Sequence, residues 1–207
     1  MNSLTRHVNA ILTRIVDDPS ARQLVALAGP PGTGKSTVAE ALAQAIRQRG
    51  QKVTIVPMDG FHLDNRVLEP RGLLPRKGAP ETFDAGGFLS LVRRIRAGEE
   101  VIAPVFDRAR DIAIAGAQVV PAGPGVILFE GNYLLFDESP WRDLRPLWDL
   151  AIWLDTPIEE LRRRLVERWL THGLDAEQAR IRAEGNDLAN ARRINAARLT
   201  PDMVIGG

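Results

Sequence analysis

Residues 29–36 read Gly-Pro-Pro-Gly-Thr-Gly-Lys-Ser, and this stretch determines the fold that we expect for the chain. An apolar run at 24–28 precedes it, and an alanine-rich run with helical spacing follows it as far as Gln48. The spacing G-x-x-x-x-G-K-[ST] is typical of a loop between a buried strand and a helix whose backbone N–H groups surround phosphate oxygens. Because the flanking patterns agree with that context, we predict a phosphate-binding loop (P-loop) here.

The residues of this P-loop have separate expected roles. Glycines allow the loop to curl, and the helix that begins at Lys35 directs the positive end of its dipole toward the phosphates. Lys35 is expected to reach the β- and γ-phosphates, and the hydroxyl of Ser36 to ligate Mg²⁺. We therefore expect Lys35 to be catalytic, and the nucleotide to be bound by Gly29, Gly32, Thr33, Gly34, Lys35, Ser36 and Thr37.

Strand and helix patterns alternate along the chain. Strands are expected at 24–28, 52–57, 126–130, 150–154 and 203–205. Helices are expected at 3–17, 35–48, 157–172, between Asp84 and Gly98, and over most of 175–199, where Gly185 weakens the middle. This alternation predicts a mainly parallel sheet with helices on both faces. The chain is therefore expected to form a single α/β domain over 1–207, a three-layer sandwich of the P-loop NTPase type.

Two stretches between these elements have distinct expectations. Residues 59–83 are rich in glycine, proline and charge, which predicts a long connection, and connections of this length in compact domains usually have a function. Two short strands are expected on either side of 107–111. Asn186, Asp187 and Asn190 form a polar run that is expected to be a solvated helix face.

The composition excludes several classes of function. The 207 residues carry a net charge of +1, so we expect neither a nucleic-acid nor a membrane partner. No apolar run is long enough to span a bilayer, and 1–16 lack the apolar segment of a secretory signal, which predicts a cytoplasmic protein. The absence of cysteine excludes disulfides and thiolate catalysis, and the three histidines lack the spacing of a zinc site.

Two acids follow predicted strands. Glu130 ends the strand at 126–130, and Asp59 comes shortly after the strand at 52–57. Ligands bind at the carboxyl ends of strands in sheets of this kind, so both carboxylates are expected beside the P-loop. Glu130 is expected to bind Mg²⁺ or to orient the nucleophile. Asp59 is expected to accept the proton of an attacking hydroxyl, or to hold that hydroxyl in line.

Four segments together resemble the family of uridine kinase, phosphoribulokinase and bacterial pantothenate kinase. They are the P-loop at 29–36, Asp-Gly-Phe at 59–61, Gly-Ala-Pro-Glu-Thr-Phe-Asp at 78–84, and Glu-Gly-Asn-Tyr-Leu-Leu at 130–135. The resemblance covers nearly the whole chain and is strongest to the bacterial fructose transport system kinase-like branch. It implies an ATP-dependent phosphotransferase with an alcohol group as acceptor, an acceptor loop at about 59–83 and an arginine-rich lid at about 157–190.

The resemblance also implies roles for single residues. Asp59 matches the catalytic acid of the family, and Arg164 and Arg168 match lid arginines that neutralise charge on the transferring phosphoryl group. Trp169 departs from the family pattern, so which arginine acts stays open, and the alternative for both is a solvated helix face. The residues expected to bind the acceptor are Asp59, His62, Arg108, Asn132 and Tyr133.

The acceptor itself also stays open. The most similar branch indicates a fructose-like sugar, with a nucleoside or pantothenate as alternatives. A guanine-binding N-K-x-D motif is absent, which favours ATP over GTP. A regulatory ATPase that acts on a protein partner is the alternative of another class, although that function would not require Asp59 or a long acceptor loop. Members of the resembled family often form dimers, so a homodimer is one expected assembly.

Overall fold

The computed structural model, which describes residues 3–206, is built around a five-stranded parallel sheet with the order β2-β5-β1-β6-β7. These strands are β1 (Arg22–Ala28), β2 (Val53–Pro57), β5 (Gly125–Gly131), β6 (Leu150–Asp155) and β7 (Met203–Gly206). A separate antiparallel hairpin consists of β3 (Val101–Asp107) and β4 (Ile112–Val120). The predicted α/β fold with a mainly parallel sheet is confirmed.

Helices lie on both faces of the sheet. They are α1 (Ser3–Leu12), α2 (Lys35–Gln48), α3 (Asn65–Leu68), α4 (Ala85–Arg96), α5 (Ile158–Thr171), α6 (Ala176–Arg182) and α7 (Ala189–Ala196). A π-helical segment, Ala183–Leu188, joins α6 to α7 around Gly185, where the sequence predicted a weak point. Among residues 3–206, no helix combines the length and the apolar character that crossing a membrane would require.

Successive side chains of the central strand β1 belong alternately to two hydrophobic clusters, one on each face of the sheet. In β1, Leu24 and Ala26 belong to one buried cluster together with α4, whereas Val25 and Leu27 belong to another together with α1 and α2. Successive side chains of a strand point to opposite faces, so both faces of β1 are buried, as expected for a parallel sheet under two helical layers. A third cluster, centred on Leu161 and Leu165, forms a small core within α5–α7.

Strand register places three loops at one edge of the sheet. Ala28, the last residue of β1, lies opposite Gly131, and Pro57, the last residue of β2, lies opposite Glu130. Because these strands are parallel, the chain leaves all of them on the same side. The P-loop, the turn that contains Asp59 and the end of β5 therefore meet at the carboxyl edge.

The N-terminal helix is shorter than predicted. It ends at Leu12 and not at 17. A turn follows it, with a hydrogen bond of 2.8 Å from the N–H of Arg14 to the carbonyl oxygen of Ile11. Ile15 nevertheless stays buried against the same cluster as Val8 and Ile11. The apolar spacing continued beyond the helix because the following turn also packs on the core, and the predicted end was wrong for that reason.

The acceptor loop is more ordered than a plain connection. It contains α3 and short 3₁₀ turns at Met58–Phe61, Glu69–Arg71, Leu74–Arg76 and Pro80–Thr82. The β3–β4 hairpin packs on its first turn so closely that a Cβ atom on Gly60 would lie 2.3 Å from the carbonyl oxygen of Pro104. Glycine at this position therefore allows the hairpin to approach Asp59.

Candidate functional site

The P-loop adopts the conformation expected of a phosphate cradle. Gly34 has a φ of 88° and caps the N-terminus of α2, so the first N–H groups of that helix point into the loop. Lys35 is buried, and its Nζ donates a hydrogen bond to the carbonyl oxygen of Pro30 at 2.9 Å. Loop and helix together present N–H donors and one cation, which is the donor set that binds phosphate.

Burial controls the charge of Lys35. Removal from water lowers the pKa of its ammonium group from the usual value to about 8, while the carboxylates of Glu130 and Asp59 act in the opposite direction. A polyphosphate beside Lys35 would add negative charge and favour the ammonium form. The site is therefore electrostatically prepared for an anion.

Ser36 at the start of α2 and Glu130 near the end of β5 lie within hydrogen-bond distance of each other. The hydroxyl of Ser36 donates to Oε2 of Glu130 at 3.3 Å, and burial raises the pKa of Glu130 above its usual value. A hydroxyl and a partly compensated buried carboxylate are hard oxygen ligands of the kind that Mg²⁺ prefers. Residues 3–206 contain no cluster of three or more His, Cys, Asp or Glu side chains suited to a metal. The residues thus fit an ion that is shared with phosphates better than an all-protein cage.

Asp59 lies in the 3₁₀ turn that follows β2 and contacts two other predicted residues. Its Oδ2 accepts a hydrogen bond from Nη2 of Arg108, and its carbonyl oxygen lies 2.8 Å from Nδ1 of His62. The ring of His62 lies between Phe83 and Phe106, with centroid distances of 4.1 and 4.5 Å. Burial lowers the pKa of His62, so the neutral imidazole is favoured.

One cavity of about 600 Å³ brings most of the predicted site together. Its lining includes Gly32, Gly34, Lys35, Ser36, Thr37, Asp59, His62, Arg108, Glu130, Asn132 and Arg168. The size is in the ordinary range for a small-molecule site. Nucleotide-binding, metal-binding and acceptor-binding candidates therefore share one space.

Tyr133 does not belong to that lining, and its expected contact with the acceptor is not supported. The side chain is fully buried, and its hydroxyl donates to the carbonyl oxygen of Gly78 at 2.6 Å. Tyr133 follows the end of β5, and its side chain points into the core, where it packs against Phe83 and Trp141. Its place is behind the acceptor loop, which it fixes from the core side.

The two lid arginines have different surroundings. Arg168 lines the cavity, lies over the ring of Trp169 and forms no ion pair within residues 3–206. Arg164 pairs with Glu160 at 2.6 Å and donates to the carbonyl oxygen of Gly32 at 3.3 Å. It lines a second pocket of about 200 Å³ instead. The expectation that Arg164 faces the transferring group is therefore corrected.

That second pocket lies on the other side of the P-loop and was not found from the sequence. Gly34 and Thr37 line both spaces, so the two meet over the first turn of α2. The other walls come from distant segments and include Leu4, His7, Leu154, Thr156, Arg164, Ile205 and Gly206. No local pattern marks such residues, because they approach one another only in the fold.

The polar run on the lid is not the solvated face that the sequence predicted. Asn186 and Asn190 are buried, and Asn186 donates to the carbonyl oxygen of Lys77 at 2.9 Å. Asn190 accepts from Arg76, and Asp187 lines the main cavity together with Trp169. Side chains of the lid thus bind the backbone and side chains of the acceptor loop, and this role was missed.

Comparison with known proteins gives a consistent result. The model of the Phosphoribulokinase / Uridine kinase family matches residues 24–179. A protein of Schizosaccharomyces pombe named "Putative uridine kinase C227.14" is 38% identical, over 89% of this chain and 83% of its own. A structure from Silicibacter sp. TM1040, described as a "putative fructose transport system kinase", is 55% identical with a TM-score of 0.90, over 99% of each chain. The pantothenate kinase of Chelativorans sp. is 31% identical over 71% of this chain, which spans about half of that relative (49%).

Proposed function

This chain belongs to the phosphoribulokinase and uridine kinase family of ATP-dependent small-molecule kinases, and from that premise we propose that it transfers the γ-phosphoryl group of ATP to a hydroxyl of an uncharged sugar-like metabolite. The observation that carries the proposal is the shared cavity. Its lining includes Lys35 and Ser36 of the P-loop, Asp59, and residues of the acceptor loop. A phosphate donor and a separate hydroxyl compound can therefore lie side by side.

The nucleotide would occupy both sides of the P-loop. Its phosphates would lie against the N–H groups at the start of α2 and beside Lys35, whereas its base and ribose would extend over Thr37 into the second pocket. Arg164, held in that pocket by Glu160 and by the P-loop backbone, would contact the nucleoside part. This arrangement gives the two lid arginines separate tasks.

Phosphoryl transfer depends mainly on position and charge. Ser36 and Glu130 would hold Mg²⁺, which supplies charge neutralisation on the phosphate oxygens. Lys35 and Arg168 would bind the oxygens of the transferring group, because both cations line the cavity. Asp59 would hold the acceptor hydroxyl in line with the γ-phosphate and accept its proton. The new O–P bond would form as the bond from the γ-phosphorus to the bridging oxygen breaks, and ADP would leave with that oxygen.

An ADP-release assay tests this function. Mg·ATP is incubated with fructose, other sugars, nucleosides or pantothenate, and each rate is compared with the rate without acceptor. A sugar is the first candidate because the Silicibacter protein, which is 55% identical, is described as a "putative fructose transport system kinase". We expect one acceptor to stimulate release strongly, and the variant Lys35→Ala, which should fold, to show no stimulation.

The alternative of a regulatory ATPase predicts another outcome. ADP release would then be high without any acceptor, and no compound of the panel would change it. The presence of Asp59 and of an ordered acceptor loop in the cavity favours the kinase. High basal release that every acceptor leaves unchanged would overturn the proposed function.

A further inference from the structure

The main cavity extends to the place where the lid meets the acceptor loop. Trp169, Asp187 and Asn190 line it from the lid, and Leu74 and Gly78 line it from the acceptor loop. Hydrogen bonds from Asn186 to Lys77 and from Arg76 to Asn190 join the two walls. None of these residues belongs to the phosphate-binding loop or to the Asp59 turn. This part of the cavity is therefore available to the rest of the acceptor, beyond its reacting hydroxyl.

Asp187 is the acid in this part of the cavity whose carboxylate is incompletely bonded. Its Oδ2 accepts a hydrogen bond from Nε1 of Trp169 at 2.7 Å, and within residues 3–206 its side chain has no other hydrogen bond and no ion pair. Burial raises the pKa of Asp187, while the bond from Trp169 and the charge of Arg168 oppose that rise. A carboxylate can accept about four hydrogen bonds, and the half-buried side chain of Asp187 has one donor and borders the cavity, so an O–H group of a ligand can donate to it.

The surroundings indicate which kind of ligand would supply that donor. Phe83, Phe106 and Trp169 offer aromatic surface, whereas Arg168 and Arg182 lie over the ring of Trp169 at 5.4 and 5.2 Å. The positive charges of Arg168 and Arg182 lie close to the negative charge of Asp187, so this part of the cavity favours neither a cationic nor an anionic ligand. A carbon skeleton with several hydroxyl groups fits both features, since its C–H faces contact the aromatic rings and its O–H groups donate to the acid.

We propose that Asp187 binds a second hydroxyl of the acceptor, remote from the hydroxyl that is phosphorylated, and thereby selects uncharged acceptors with at least two hydroxyl groups. This inference rests on the proposed function, because Asp59 must hold the reacting hydroxyl. Asp187 is then a specificity-determining residue that acts on binding of the acceptor. The phosphoryl group itself is handled by other residues.

A cycle between protein and substrate variants tests the contact. The sugar that stimulates ADP release most is compared with its monodeoxy analogues, each of which lacks one non-reacting hydroxyl, and kcat/KM is measured for the wild type and for Asp187→Asn. In the wild type we expect one analogue to lose roughly 10-fold or more, the usual cost of a hydrogen bond to a charged group. In Asp187→Asn, kcat/KM for the parent sugar should fall by a similar factor relative to the wild type. The value for the analogue should then lie only slightly below that for the parent sugar.

Two further variants separate hydroxyl binding from a structural effect. Glu184→Gln changes an acid of the same π-helical segment that pairs with Arg162 and Arg192 outside the cavity, so the ratio of parent to analogue should equal that of the wild type. Trp169→Phe removes the N–H donor but keeps the carboxylate of Asp187, so the ratio of kcat/KM for the parent sugar to kcat/KM for the analogue should stay as high as in the wild type. Loss of the ratio in Trp169→Phe as well would assign the effect to disorder of the lid and overturn the proposal.

The outcomes distinguish this inference from the function on which it rests. If a sugar stimulates ADP release but Asp187→Asn keeps the full penalty of every analogue, Asp187 does not bind a hydroxyl and the inference is wrong. A preference for anionic pantothenate over all uncharged acceptors would also overturn it. If no acceptor stimulates release, the kinase function fails, and the inference fails with it.

Discussion

Arg108, in the turn of the β3–β4 hairpin, donates a hydrogen bond to the carboxylate of Asp59 in the turn that follows strand β2. Its side chain is largely exposed (60%), whereas that of Asp59 is mostly covered (20%). The hairpin thus brings a solvated cation to a carboxylate that already lies near Glu130. In the proposed function, a reacting hydroxyl that binds Asp59 would share this carboxylate with Arg108, and the hairpin would then form part of the acceptor site.

Asp59→Asn should lower kcat by about 100-fold or more while the affinity for nucleotide changes little, because an amide cannot accept the hydroxyl proton. Steady-state kinetics with the stimulating acceptor and equilibrium nucleotide binding check both parts. Asp64→Asn is a matched control in the same loop, since Asn caps the short helix α3 as well as Asp does. An unchanged kcat in Asp59→Asn would remove this residue from the mechanism.

Nucleotide binding should take up protons at alkaline pH. The pKa of Lys35 is about 8 in the free protein, and phosphate oxygens raise it. Below pH 8 the ammonium form exists in both states, so Kd does not depend on this group. Above pH 8 the free protein loses the proton, and Kd should increase toward tenfold per pH unit (about 1.4 kcal/mol).

Calorimetry at pH 9 in buffers of different ionisation enthalpy measures this uptake, which should approach one proton per bound nucleotide. Lys35→Met is the control, because it removes the titrating group and should abolish the uptake. An equal heat in all buffers with the wild-type protein would contradict the proposed contact between Lys35 and the phosphates.

Substitution of the two lid arginines should affect different kinetic constants, kcat for Arg168 and KM for ATP for Arg164. Arg168→Ala is expected to lower kcat by about 100-fold, the usual cost of removing a donor that stabilises developing charge. Arg164→Ala should mainly raise KM for ATP, by roughly 10-fold, because it removes a bound charge from the second pocket. Arg180→Ala is the control, since Arg180 pairs with Glu177 on α6 and neither residue lines either pocket. A fall in kcat with Arg164→Ala alone would reverse this assignment.

Tyr133→Phe should weaken the acceptor loop without touching the nucleotide. The change leaves the carbonyl oxygen of Gly78 without the donor that it has at 2.6 Å, which costs about 1–3 kcal/mol. Chemical denaturation should show a lower free energy of unfolding, and KM for the acceptor should rise. If KM for the acceptor stays constant while stability falls, Tyr133 supports the core alone.

The sequence predicted those parts of the site that depend on local patterns. The P-loop is one contiguous motif, and Asp59 and Glu130 were placed correctly because parallel strands end at one edge of the sheet. The order of strands and helices followed from apolar periodicity, which is also a local pattern of the sequence. His62 and Asn132 also line the cavity, as their closeness to Asp59 and Glu130 in the sequence indicated, and so does Arg108, which the family resemblance alone indicated.

The remaining parts depend on contacts between distant segments. Asn186 and Lys77 are 109 positions apart, and nothing near Asn186 in the chain indicates that it is buried. The different pockets lined by Arg168 and Arg164 follow from the rotation of α5 about its axis above the P-loop, which helical spacing alone does not specify. Tyr133 was assigned to the cavity from its neighbours, although the strand end turns it into the core.

The bonds between lid and acceptor loop have a consequence for the catalytic cycle. Asn186 donates a hydrogen bond to the carbonyl oxygen of Lys77, and Arg182 donates one to the carbonyl oxygen of Pro75. A lid that swings away from the P-loop must either break these bonds or carry the acceptor loop with it. In the proposed kinase, release of ADP and release of the phosphorylated product would then be mechanically linked, and a tightly bound product would also slow the turnover of the nucleotide.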